Sequence, residues 1–306
     1  MYCFFCKKNN FQLIYKLKTK IILRCKSDGL FLAQETKNDE QKYGQKYFSH
    51  NPHLSNRSYF LKKIRKIQEL TGMQKPKILD IGCGWGDFEQ VLEKEKISYL
   101  GIDTSKEAMG ICKKKGLNCI KITLDKLIQT VEDGRWKMDF EDRKLKVDKF
   151  HPLPSNFKHP PSTLNHLPSK LFDAITLFQV IEHFKNPLAL LKSAKKLLKK
   201  NGLILITTPN NDSPLRKFFG SRWSVYNEPS HSIFYNKKTL RETLNSAGFK
   251  NIQVSNDSLR FLSLTYIVKR LNEMFFHSES LTLNSKFLSI PIPTDPLGDL
   301  EAIGFK

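Results

Sequence analysis

The sequence predicts an α/β fold, a seven-stranded and mostly parallel sheet with helices on both faces, preceded by a small hairpin segment. Three observations predict it. Lys77–Asp87, KILDIGCGWGD, passes from a short apolar run into a glycine loop and then into the helical FEQVLEKEK. From Lys75 onward, strand-length apolar runs alternate with amphipathic stretches, which implies right-handed crossovers and a parallel sheet. Two more strand-like segments, at Phe249–Val254 and in the final LEAIGFK, follow the last crossover.

Composition bounds the reading. The chain has 306 residues, 40% of them apolar, enough for one large core with appendages. No run approaches the roughly 18 apolar residues of a membrane span, and the start, MYCFFCKKNN, lacks the plan of a secretory signal. A cytoplasmic protein without a membrane span is therefore expected. Its net charge of +21 fits either an anionic partner such as nucleic acid or a lysine-rich solvated surface. The lysines scatter through the expected helices, with no arginine stripe interleaved with aromatics, which favours the second. Six cysteines in such a chain are not a disulfide framework. Cys83, Cys112 and Cys119 fall in or beside core elements.

The first 32 residues carry Cys3-x2-Cys6 and, eighteen residues later, Cys25-x2-Asp28, with the strand-like FQLIYKL and KIILRC between them. This is the layout of a zinc ribbon, two ligand pairs flanking a hairpin. Asp28 stands where a ribbon has its fourth cysteine. The segment reads either as a zinc site of Cys3, Cys6, Cys25 and Asp28 or as a ribbon that folds without metal. Residues 33–74 read as a polar lid, with aromatics over Tyr43–Phe48, followed by a helix over Ser55–Leu70 that Gly72 and Pro76 stop.

Over 75–306 the expected strands are Lys77–Ile81, Ser98–Ile102, Asn118–Ile122, Phe172–Phe178 and Leu203–Thr208, before the two late ones. Helices are expected over Asp87–Glu95, Lys106–Lys115, Asp125–Thr130, Leu188–Lys199 and Lys238–Ala247. Residues 131–170, basic and proline-rich, interrupt the alternation as an insertion. A second irregular stretch, 258–295, holds one expected helix over Phe261–Met274.

In a doubly wound sheet a ligand lies outside the carboxyl ends of the strands. Gly82-Cys83-Gly84 ends the first strand. Asp103 ends the second, twenty-one residues after Gly82, where an ionised acid can accept both hydroxyls of a ribose. Leu124 follows the third. Phe178, Gln179, Glu182 and His183 end the fourth. A nicotinamide dehydrogenase shares the first two features, but Asp87 occupies the sixth position of its glycine pattern and the late strands do not suit it. Glu182-His183 is the sharpest candidate for acid–base work, with His231 in NEPSHSIFY able to converge on it. The alternative is that Glu182 caps a helix and both histidines pack loops.

ILDIGCGWG, GIDTS, FDAITLFQVIEH and LKKNGLILITTPN together resemble the successive motifs of class I S-adenosylmethionine-dependent methyltransferases, over about residues 40–306. With the N-terminal segment the chain is similar to a type-11/12-like subgroup that carries a zinc ribbon. The resemblance implies a Rossmann-like methyltransferase sheet binding S-adenosylmethionine. Asp80, Gly82, Cys83 and Gly84 would line its methionine end, Asp103 hold the ribose, Thr104 and Leu124 flank the adenine, and Phe178 and Gln179 close the site near the methyl group. A small-molecule acceptor, methylated at oxygen, is the expected substrate. An RNA acceptor held by the basic insertion and a non-catalytic cofactor-binding module are the rivals. The Glu182-His183 pair plus a later histidine also resembles metal-dependent O-methyltransferases, but neutral Gln179 replaces their first carboxylate, which weakens a site for a hard divalent ion.

Overall fold

The computed structural model describes residues 2–36, 56–133, 171–257, 261–263, 291–293 and 298–306. The Tyr43–Phe48 stretch, the insertion beyond residue 133 and the expected helix beyond residue 263 lie outside these.

The N-terminal hairpin is β1 (Phe11–Lys16) and β2 (Lys20–Cys25), and β3 (Phe31–Glu35) extends it antiparallel. Helix α1 (Arg57–Thr71) ends at Gly72, whose left-handed φ of 67° closes it. Then come β4 (Ile78–Ile81), α2 (Asp87–Lys94), β5 (Tyr99–Asp103), α3 (Lys106–Lys114), β6 (Cys119–Lys121) and α4 (Leu124–Glu132). Ser105 caps α3 by accepting from the Ala108 N–H, and Thr123 caps α4 by accepting from Lys126. After the insertion come β7 (Phe172–Phe178), α5 (Pro187–Leu197) and β8 (Leu198–Pro209). Asn186 caps α5, whose first residue is a proline that forfeits no helical bond. The short helices α6 (Pro214–Phe219) and α7 (Ser224–Asn227) lead to β9 (Ile233–Phe234), α8 (Lys237–Ser246) and β10 (Lys250–Asn256).

The main sheet has the order β10–β13–β8–β7–β4–β5–β6, where β13 is Asp299–Phe305. The five strands from β8 to β6 are mutually parallel, and β13 is antiparallel to both its neighbours. The expected seven strands are therefore present. Buried apolar side chains from the central strands pack against helices on both faces.

Two expectations fail locally. Phe261–Ser263, expected at the start of a helix, is a strand, β11, antiparallel to β12 (Pro291–Pro293). A partner about thirty residues away in sequence satisfies its backbone, which local periodicity does not register. The lysine-rich helix expected to reach Lys199 stops at Leu197: Leu198 is extended, with ψ of 141°, and pairs with Phe172 to begin β8. Ladder pairing overrides helix propensity there.

One buried ionic group ties the amino-terminal helix to the late strands. Lys63 of α1 is 1% exposed, and its ammonium donates to Asp257 beyond β10 and to Glu301 of β13. Tyr59 donates to the other Asp257 oxygen at 2.6 Å, and Lys66 donates to Glu301. Burial raises the Asp257 pKa; burial also pushes Glu301 up, but Lys63 and Lys66 overcome it and hold that acid below its usual range. Removing one partner of such a group strands a buried charge. Lys63→Met should cost about 3–5 kcal/mol, whereas Arg57→Ala, which deletes the exposed pair with Glu95, should cost under about 1 kcal/mol. Urea unfolding of the two variants checks this, and equal losses would deny the network its role.

Candidate functional site

The glycine loop leaves β4, whose four residues are all buried. Gly82 has φ of 79°, and a Cβ there would meet Val180 Cγ2 at 2.5 Å, so both conformation and space require glycine. The N–H groups of Gly82 and Cys83 donate to the Ile102 carbonyl at 2.7 and 3.1 Å, which ties the loop to β5. Asp103, at the end of β5, takes the Gly84 N–H at 3.1 Å on one oxygen and the Ser105 N–H at 2.8 Å on the other. Each oxygen has a second lone pair for a ligand hydroxyl. A Cβ on Gly84 would meet nothing nearer than the Gly82 carbonyl at 4.0 Å, so one side of the loop is open. Thr104 is exposed beside it, and Leu124 is buried at the first turn of α4.

Asp80 lies deeper, only 3% exposed, paired in register with Gly101 and Thr176. The Thr176 hydroxyl donates to it at 2.5 Å. Burial pushes its pKa up to about 7, against the opposing pull of the neighbouring Glu89 carboxyl and the Thr176 hydroxyl. Glu89 of α2 is wholly buried, and burial together with Asp80 holds it well above the usual carboxylate range. Burial therefore disfavours the charged form of each acid, and Asp80 further disfavours that of Glu89. Cys83 points inward as well, towards Cys112 and Cys119.

A second cluster forms where β7 ends. Phe178 sits among Tyr59, Phe60 and Phe88, with ring centroids 6.5, 5.4 and 4.9 Å away. Gln179 adopts a left-handed φ of 58° and donates from its side chain to Asp299 at 3.1 Å. Such backbone strain, about 1–3 kcal/mol, persists where surroundings over-determine it. The next turn, Ile181–His183, presents Glu182, which is 1% exposed and accepts from Thr208 at 3.0 Å. His183 Nδ1 meets the Ser230 carbonyl at 3.3 Å, and His231 Nδ1 meets that of Val225 at 3.1 Å. A carbonyl only accepts, so a proton on Nδ1 serves each of these contacts, and Nε2 is the basic nitrogen of that tautomer. The two rings lie 4.7 Å apart, and one ligand atom each of Glu182, His183 and His231 falls within 4.8 Å of the others. Burial lowers the His183 pKa to about 4, against the pull of the Ser230 and Gln179 carbonyls.

Lys20 is the residue that sequence reasoning overlooked. It is 2% exposed, and its ammonium donates to the carbonyls of Glu228 and, at 3.2 Å, His231. Burial lowers its pKa to about 8. Pairing of β3 with β9, through Phe31 with Phe234 and Leu32 with Ile233, holds the same loop from the other side. Trp223 is packed with Ile22, Tyr226 and Phe234 beneath it. The available signal was register: Lys20 alternates with buried Ile22 on the inward face of β2.

At the amino terminus, Cys3, Cys6, Cys25 and Asp28 converge, each offering a ligand atom within 4.8 Å of the rest. Cys3 donates to Asp28 at 3.1 Å, the Cys6 and Cys25 sulfurs are 3.5 Å apart, and the Leu30 N–H fixes the other Asp28 oxygen at 2.9 Å. Among the described residues, no helix is long and apolar enough to cross a membrane.

Residues 25–254 match a family model described as a methyltransferase domain. A ubiquinone biosynthesis O-methyltransferase of Actinobacillus pleuropneumoniae is 27% identical over 143 residues, 47% of this chain and 50% of that protein. The same-named protein of Pelagibacter ubique is 28% identical over 156 residues, 50% of this chain and 51% of its own. The chain thus spans about half the length of these curated relatives. A crystal structure of a SAM-dependent methyltransferase from Archaeoglobus fulgidus superposes with a TM-score of 0.51 at 19% identity, covering 87% of this chain and all of that one; it bears on the fold alone.

The buried histidine makes a pH prediction. His183 titrates near 4 folded but near ~6.5 unfolded. Between those values the unfolded chain binds the extra proton, so acid destabilises the fold there. Unfolding free energy should fall from pH 6.5 to 4 less steeply in His183→Gln than in the parent; identical slopes in urea titrations would contradict it.

Proposed function

The chain belongs to the methyltransferase-domain family, and from that premise we propose that it is an S-adenosylmethionine-dependent methyltransferase acting on a small molecule at an oxygen. The observation that carries this reading is the adjacency of two clusters on neighbouring strand ends: an open glycine loop buttressed by Asp103, and the Glu182–His183–His231 group. The names of the curated relatives supply the oxygen and the small-molecule class.

The residues fit the cofactor, because Asp103 retains acceptor capacity for a ribose diol and the outer side of Gly84 has room for a ligand. Gly82, Cys83 and Gly84 would lie along the methionine end, Thr104 and Leu124 beside the adenine, and Phe178 and Gln179 near the reacting centre. Bound S-adenosylmethionine supplies an electrophilic methyl group on a cationic sulfonium, whose charge favours ionised Asp80. Catalysis is chiefly alignment of the acceptor. His183, neutral above pH 4, would take the hydroxyl proton on Nε2, with Ser230 holding the ring through Nδ1. Glu182 and His231 complete its surroundings, while Lys20 and β3 hold the His231 loop in place.

A zinc ion fits the amino-terminal ribbon: three sulfurs and a carboxylate match its four-coordinate preference, and the Leu30 N–H orients Asp28. The chain then reads as a ribbon over 1–32, a lid and helix over 33–74, and a catalytic unit over 75–306 with its insertion at 131–170. Reduced ribbon thiols suit the cytoplasm.

Calorimetry with S-adenosylhomocysteine and transfer of labelled methyl to hydroxyl-bearing small molecules test the reading. Asp103→Ala should weaken binding by about 1.5–3 kcal/mol. His183→Ala should leave binding within a few-fold and cut turnover about 10²–10⁴-fold; unchanged turnover removes it as the base. For the ribbon, Cys25→Ser should lose zinc by elemental analysis and Asp28→Cys should keep it.

A further inference from the structure

We propose that Cys83, Cys112 and Cys119, together with Glu89, form a second metal site, a closed and buried one for a thiophilic d¹⁰ cation of the zinc and cadmium class, directly beneath the glycine loop. The three cysteines come from three elements: the loop after β4, helix α3 and strand β6. Their sulfurs all lie within 4.8 Å of one another. Cys83 and Cys112 are buried, and Cys119 is half-buried. The Glu89 carboxyl lies beside this cluster. A Cβ on Gly101 would meet Cys119 Sγ at 2.7 Å, Glu89 Oε1 at 3.0 Å and Cys83 Cβ at 3.1 Å, so Cys119, Cys83 and the Glu89 carboxyl crowd the same face of that glycine. No N–H or hydroxyl among the described residues donates to either Glu89 oxygen, and its carboxyl lies against that of Asp80.

Burying two acids side by side is costly unless they are protonated or a cation is near. Three thiols have the softness that zinc-class ions prefer over magnesium or calcium, and the neighbouring Glu89 carboxyl is the fourth donor such an ion would draw in. Loading exchanges the thiol and carboxyl protons for the ion and releases them to solvent, so uptake weakens as pH falls. Cys112 also donates to the Gly84 carbonyl at 3.5 Å, and Cys83 sits between Gly82 and Gly84. Occupancy would therefore stiffen the loop, a consequence that rests on the cofactor reading above; the site itself does not.

Cadmium titration of the reduced full-length chain, followed by thiolate-to-cadmium charge-transfer absorbance, tests the proposal. The parent should take two equivalents, one here and one at the ribbon. Cys112→Ser and Cys119→Ala should each take one, and Cys3→Ser should also take one, retained here. Glu89→Gln should keep the sulfur absorbance but weaken this equivalent about 10–100-fold, the scale on which supporting ligand groups act. A single parental equivalent that survives Cys3→Ser and vanishes in Cys112→Ser supports this site and removes the ribbon's. The proposal is overturned if Cys112→Ser and Cys119→Ala bind as much cadmium as the parent, or if the parent's cadmium is all lost in Cys3→Ser. S-adenosylhomocysteine binding by the parent is scored separately: its absence sinks the cofactor reading and leaves the cadmium stoichiometry as it stands.

Discussion

The site depends on the parallel register of β4 between β5 and β7. That register sets Asp80 against Gly101 on one side and Thr176 on the other. Three strand ends consequently finish along one edge, and the chain must turn there. Gly82 turns beneath Val180 with no room for a side chain, Asp103 anchors the turn through the Gly84 N–H and is itself fixed by the Ser105 N–H, and β7 releases Gln179 in a left-handed conformation before the Glu182–His183 turn. Hydrogen bonds across a parallel ladder fix these ends relative to one another, so the two clusters meet without needing to be neighbours in sequence.

A second constraint comes from the amino terminus. The three-stranded sheet does not stand apart; β3 pairs with β9, and buried Lys20 gathers the carbonyls of Glu228 and His231. Desolvating an ammonium is costly, and it is tolerated only because carbonyl acceptors surround it. Its return is a fixed path for the loop that brings His231 to His183. On the far side, the Lys63 network joins α1 to β10 and β13 and so settles the aromatic wall of Tyr59 and Phe60 against Phe178.

Much of the fold was legible because its signals are local. The apolar runs of β4, β5, β7 and β8 are buried on both faces and read as continuous hydrophobic segments. In the structure Ser105 and Thr123 cap the helix starts that periodicity had marked. The glycine loop and Asp103 were legible by spacing. The short strand Phe261–Ser263 was not, because its partner is distant in the chain, and neither was the end of α5, where a strand partner displaced helix formers. Glu89 was hidden for a related reason: an acid in a helix normally faces water, and only packing reveals that this one faces Asp80 and the cysteines.

The sequence by itself determined the alternation of strands and helices, the glycine turn, the acid that follows it and the ribbon's ligand spacing. Each depends on residue type and interval along the chain. Only the tertiary structure decided that Asp80 is buried against Glu89, that Lys20 holds the His231 loop, that His183 is kept neutral, and that three scattered cysteines come within 4.8 Å of one another. Those properties follow from desolvation and from contacts between residues far apart in the chain, and neither exists until the sheet has closed its layers.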